Sequence, residues 1–155
     1  MNLGDYFPKE NTKAYVERNI KVGTVIKLYV HDTKPPKEKR FIIIGFTEDK
    51  LTLASIYINS EINTKINWSI EQQALQVELD AKGREYLAKK SYVDCSKFIA
   101  RDSSDIKEKL LKRPEAIIGN LSKPDLELIL NTLKGATTIN GKLKKRYGIY
   151  DFKVE

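Results

Sequence analysis

Six apolar residues in a row, FIIIGF at 41–46, follow directly on the basic stretch KEKR at 37–40. A run this short, rich in β-branched isoleucine and ended by a turn, reads as a strand. Its side chains are apolar on both faces. Such a strand lies in the centre of a sheet or in the wall of a closed barrel. The neighbouring segments agree. In KVGTVIKLYV, residues 21–30, the side chains of Val22, Thr24, Ile26, Leu28 and Val30 fall on one face. The opposite face is mixed, with Lys21, Gly23, Val25, Lys27 and Tyr29, so this is a half-buried first strand. TEDK at 47–50 is a turn, and LTLASIYI at 51–58 is the returning strand.

Further along, ALQVEL and SYVDCSKFIA each read as a strand, and PEAIIGN as a short one around Ile117 and Ile118. Asn11-Thr12 caps a helix through Asn19, and SSDIKEKLLKR is a helix capped by Ser103 or Ser104. In SKPDLELILNTLKG, Ser122 is the N-cap and Asp125 stands three residues on. Leu126, Ile129, Leu130 and Leu133 form a buried stripe, and Gly135 is the stop. Five or six short strands with helices late in the chain predict a mostly β, small antiparallel barrel with a C-terminal helix. Residues 1–20 read as an N-terminal extension, 21–138 as a single barrel domain, and 139–155 as a basic and aromatic tail, either a flexible arm or an extra edge strand.

At 155 residues the chain is long enough for a core without disulfides. Its single cysteine, Cys95, excludes an internal one, and with one histidine a zinc site has few ligands to draw on. No apolar run approaches membrane-spanning length, and the start lacks a basic-then-apolar leader, which predicts a cytoplasmic protein with no membrane contact. The net charge of +7 is concentrated. HDTKPPKEKR at 31–40 contains Lys34, Lys37, Lys39, Arg40 and His31, and KLKKR at 142–146 has four cations in five residues. Local clusters of this kind favour a polyanionic partner such as RNA, DNA or an acidic protein.

Three stretches resemble the PemK/MazF family of toxin endoribonucleases. KVGTVIKLYVHD is similar to the family's opening strand, and KRFIIIG to its second, which carries a loop arginine before an apolar run. SYVDCSKFIARDSSDI followed by IIGNLSKPDLELILNTL resembles its C-terminal half, with an Ile-Gly-x-Leu-Ser stop before the last helix. The resemblance covers roughly residues 21–136. It implies an SH3-like barrel that forms a homodimer, cleaves single-stranded RNA without metal or cofactor, and is covered by an antitoxin protein.

Metal-free RNA cleavage uses the 2′-hydroxyl as nucleophile and needs a base, an acid and a fixed cation at the phosphorus. Arg40 matches the family's loop arginine, and its planar fork suits phosphate oxygens. His31 titrates near neutrality and is a candidate acid or base. Glu38 is a second base candidate, and Lys37 and Lys39 are candidates for neighbouring phosphates. The family's hydroxyl residue near the end of the third strand corresponds here to Tyr57, Asn59 or Ser60, of which Ser60 is chemically closest. Arg101 comes later in the chain than the family's arginine or aspartate. Lys144, Arg146 and Trp68 are candidates for substrate contact, the tryptophan by stacking on a base. Two other readings stand beside cleavage: a barrel of the same kind that binds nucleic acid or protein without chemistry, and a structural partner whose charge serves solubility.

Overall fold

The two-sided strand organises the molecule. In the computed structural model, which describes residues 9–61 and 69–154, residues Phe41 to Gly45 are all buried. Strand β2 (Lys37–Phe46) pairs antiparallel with β1 (Thr24–Val30) on one side and with β3 (Thr52–Asn59) on the other. Beyond β1 lies β7 (Ile117–Asn120). The far edge of β3 is shared: β5 (Ser91–Asp94) takes its C-terminal end and β6 (Ile99–Asp102) its N-terminal end. β4 (Gln76–Leu79) pairs with β5. The described strands thus form one curled, wholly antiparallel half-barrel in the order β4-β5-β3-β2-β1-β7, with β6 branching from β3.

Alternation along β2 divides the core in two. Ile42 and Ile44 join Val25, Ile56, Ile58 and Val93 in a cluster covered by α4 (Lys123–Gly135) through Ile129, Leu130 and Leu133. Phe41 and Ile43 join Ile26, Leu28, Val30, Leu53 and Tyr57 in a second cluster. Here the cover is Val16 of α1 (Lys9–Asn19) with Ile106 and Leu110 of α3 (Ser103–Lys112). Sheet faces bury their apolar side chains against helices whose apolar stripes match them. A short helix, α2 (Ile70–Ala74), precedes β4 and is capped by Ser69.

Several boundaries differ from the sequence reading. SYVDCSKFIA is two strands, separated by a turn at Cys95-Ser96. The N-cap of α3 is Asp102, whose carboxylate accepts from the Asp105 amide, where a serine was expected. Ser122 caps α4 as expected. The last residues are neither an arm nor an edge strand. They form α5 (Gly141–Arg146) and a closing turn, and Ile139, Tyr147 and Ile149 enter the α4-side cluster. Gly45 explains the fit: a Cβ there would meet the Tyr147 carbonyl oxygen at 2.3 Å, so only glycine lets the tail cross the central strand.

Candidate functional site

The alternation that splits the core continues into the polar start of β2. Lys39 follows Phe41 and Ile43 onto the α3-side face, and Arg40 follows Ile42 and Ile44 onto the other. Lys39 lies over the Tyr57 ring, its ammonium 5.0 Å from the centroid, and donates a hydrogen bond to Asn59 Oδ1. Tyr57 is opposite Phe41 in the β2–β3 register, and Asn59 is the last residue of β3. On the same face β6 presents Arg101, opposite Leu53. Its guanidinium packs 4.5 Å from the Phe41 ring centroid. Nε donates to Ser55 Oγ at 2.9 Å, Nη2 to the Tyr57 hydroxyl oxygen at 2.8 Å, and Nη1 to Asp32 Oδ1 at 3.3 Å. The Tyr57 hydroxyl in turn donates to Asp32 Oδ2. Side chains from three strands, β2, β3 and β6, and one loop residue therefore meet at the mouth of the basic loop.

Electrostatics follow from this packing. Burial, the nearby Lys37 and, less strongly, Lys97 bring the Lys39 ammonium down to about 8, with Asp94 and Asp32 resisting the fall. Burial and the bond to Asp32 push the Tyr57 phenol up to about 12, so it remains a hydrogen-bond donor at neutral pH. For Asp32, burial works upward, but the Tyr57 hydroxyl and the Arg101 charge outweigh it and hold the carboxyl below its ordinary range. Asp94, at the end of β5, accepts from Gln76 Nε2 at 2.9 Å and from the Ser96 amide at 3.0 Å. The result is a fixed guanidinium, a phenol donor and an amine that gains or loses its proton close to neutrality, all within one polar patch. Groups with perturbed proton affinity beside a rigid cation are a common mark of a reacting site.

The residues singled out from sequence are dispersed. Arg40 is half-buried on the opposite face, where Nε donates to the Tyr86 carbonyl at 3.0 Å. It does not join Lys39, Tyr57 and Arg101. Glu38 is exposed and pairs with Lys27 at 3.3 Å. His31 is exposed and packs edge-on against Tyr29, with ring centroids 5.2 Å apart. Ser60 is exposed just past the end of β3, while Asn59 supplies the side chain that meets Lys39. Lys37 is exposed and acts on Lys39 through its charge. Lys144 is turned inward, against expectation. It is 4% exposed, and its ammonium donates to the carbonyls of Lys134 and Ala136 at 3.0 and 2.6 Å, closing the end of α4. Those bonds occupy the charge that an RNA phosphate would need. Arg146 is exposed at the other end of β2, in a groove of about 880 Å³ with Lys142, Lys145 and Asp49. Trp68 lies outside the described residues.

Asp32 was not singled out from sequence; its partners lie 25 and 69 residues away. Cys95 is fully buried, and burial pushes its thiol well above the ordinary range, as suits a small core residue and not a nucleophile. Among the described residues, no three His, Cys, Asp or Glu side chains gather as a metal ligand set. Among the same residues, no helix is long and apolar enough to cross a membrane. Compared with known proteins, the chain matches no family model and no curated sequence.

Proposed function

We propose that this chain is a MazF-like endoribonuclease on an SH3-like barrel, cleaving single-stranded RNA through the RNA's own 2′-hydroxyl. The observation that carries the reading is Lys39: an amine held at about 8 over the ring of Tyr57, whose hydroxyl accepts from the Arg101 guanidinium, at the mouth of a basic loop. In the proposed reaction the neutral amine of Lys39 takes the 2′-hydroxyl proton as the 2′-oxygen bonds to phosphorus. The bond from phosphorus to the 5′-oxygen breaks, and the Lys39 ammonium returns the proton to that leaving oxygen. The products are a 2′,3′-cyclic phosphate and a 5′-hydroxyl. An amine with a proton affinity near the working pH suits both transfers. Arg101, anchored by Ser55 and by Phe41, is the preorganised charge for the phosphorane oxygens. Arg40, on the opposite face with its Nε on the Tyr86 carbonyl, is assigned to a neighbouring phosphate. In this reading the protein acts in a toxin–antitoxin pair, as a homodimer, and an acidic antitoxin segment covers the same face.

The test is incubation of purified protein with a long single-stranded RNA in EDTA, beside Lys39→Met, Arg101→Ala and Arg40→Ala. Defined cuts ending in cyclic phosphate are expected from the native protein and lost in the first two variants. Cuts that survive Lys39→Met but vanish with Arg40→Ala would place the chemistry on the other face. Salt-sensitive binding without cuts supports instead a binding module of the same architecture.

A further inference from the structure

We infer that Asp32 is a stand-in for an RNA phosphate: its carboxylate fills the anion site on Arg101 and Tyr57 in the free protein and is displaced by the substrate. The inference rests on the proposed RNA-binding face, and it adds how that face is kept closed.

Arg101 has its donors assigned in a telling way. Nε goes to Ser55 and Nη2 to the Tyr57 oxygen, both on β3. Nη1 goes to Asp32, and among the described residues it has no other partner. The Tyr57 proton also goes to Asp32. The carboxylate thus presents one oxygen to a guanidinium edge and the other to a phenol. Two acceptor oxygens on a shared negative charge is also what the non-bridging oxygens of a phosphodiester present, and Arg pairs with either in a similar geometry. The Asp32 charge also favours the ammonium form of Lys39, as the weakest of the influences on it.

The two sides of this contact differ in how firmly they are held. The Arg101 side chain is 12% exposed, clamped between an aromatic ring and two β3 hydroxyls. Asp32 is 38% exposed and sits in the 31–36 loop. Among the described residues, none of 31–36 makes a backbone hydrogen bond to another element. The cation side is preformed, and the anion side is carried on a segment that can leave without breaking the sheet. A partly exposed ion pair is worth little in itself, so a phosphate can displace it. Retaining the carboxylate keeps Arg101 paired when no substrate is bound, and it disfavours anions that cannot outcompete it.

The experiment measures binding of a fluorescein-labelled single-stranded 2′-O-methyl oligonucleotide, which cannot be cut, by anisotropy in moderate salt. Asp32→Asn keeps the size of the side chain and one of its two acceptor oxygens, and removes its charge. It is expected to tighten binding about three- to tenfold, from the loss of one competing charge a few ångströms from the phosphate. The gain should vanish in an Arg101→Ala background. Asp32→Ala serves as the second variant, and far-UV circular dichroism shows that each folds. Unchanged or weaker binding by both folded variants overturns the inference and makes Asp32 a positioning residue for Arg101. Cutting by the native protein with no gain in Asp32→Asn keeps the endoribonuclease and rejects the stand-in. A gain in Asp32→Asn without cutting by any form does the reverse. If neither native protein nor variants bind the oligonucleotide, both fall.

Discussion

Replacing Lys39 by methionine should alter the stability of the protein in a pH-dependent way. The ammonium falls from 10.5 to about 8 on folding, chiefly through burial. Fully expressed, that difference corresponds to about 3.4 kcal/mol. The side chain is only half-buried, and solvent screening reduces the figure to about 1–2 kcal/mol. The sign follows from proton uptake. Between about pH 8 and 10.5 the unfolded chain binds this proton and the folded one does not, so stability from this group rises with pH. Below that window the full penalty is present. Methionine, of similar length and uncharged, carries no such penalty. Relative to the native protein, Lys39→Met should therefore do best near pH 7 and lose about 1–2 kcal/mol of that advantage by about pH 10.5. The lost bond to Asn59, worth about 1 kcal/mol, shifts the whole comparison without changing its slope. The assay is urea unfolding followed by circular dichroism at several pH values, read as the difference between the two proteins. That difference matters because the buried Cys95 thiol and the Tyr57 phenol act in the opposite sense and destabilise the fold as pH rises. They are common to both proteins and cancel. A gap that stays constant or widens with pH would refute the reasoning. In the same preparations, RNA cleavage should rise to a plateau with an apparent midpoint at about pH 8 and be absent from the variant.

Two further outcomes test the frame around the site. Arg84 holds Asp125, in the first turn of α4, through two hydrogen bonds of 2.8 and 2.9 Å, and keeps its carboxyl below the ordinary range. Arg84→Ala should cost about 2–3 kcal/mol in urea denaturation, and the native protein's share of that stability should fade as pH drops below about 4 and Asp125 takes up its proton. Gly45→Ala should cost at least about 2–3 kcal/mol, because the new methyl meets the Tyr147 backbone and the tail cannot yield without opening the core. A thermal midpoint within about 2 °C of the native one would show that residues 139–154 are not part of the core.

What could be read from the chain, and what could not, divides along the range of the interactions involved. The two-sided burial of 41–45 is written in five consecutive residues, and so was legible. The same alternation assigns Lys39 and Arg40 to opposite faces, yet charge and resemblance drew both into one loop site. Parity holds through a strand whether its residues are apolar or not. Arg101 was harder to place. Its face depends on the chain turning at Cys95-Ser96, and that turn lets β5 and β6 share one edge of β3. Nothing local in SYVDCSKFIA marks the break, since each half is strand-like and the constraint is the length of β3. Asp32 is less legible still, because its role exists only once Tyr57 and Arg101 converge on it. Lys144 makes the same point from the other side. Among the cations of KLKKR it reads as one more surface charge, yet it lies where the last carbonyls of α4 need donors, and satisfying them takes precedence. Charge density along a sequence thus locates clusters of cations. Which cation meets a substrate is decided by which ones the fold has already given a carbonyl or a carboxylate, and by whether that partner, like Asp32 and unlike Ala136, can be displaced.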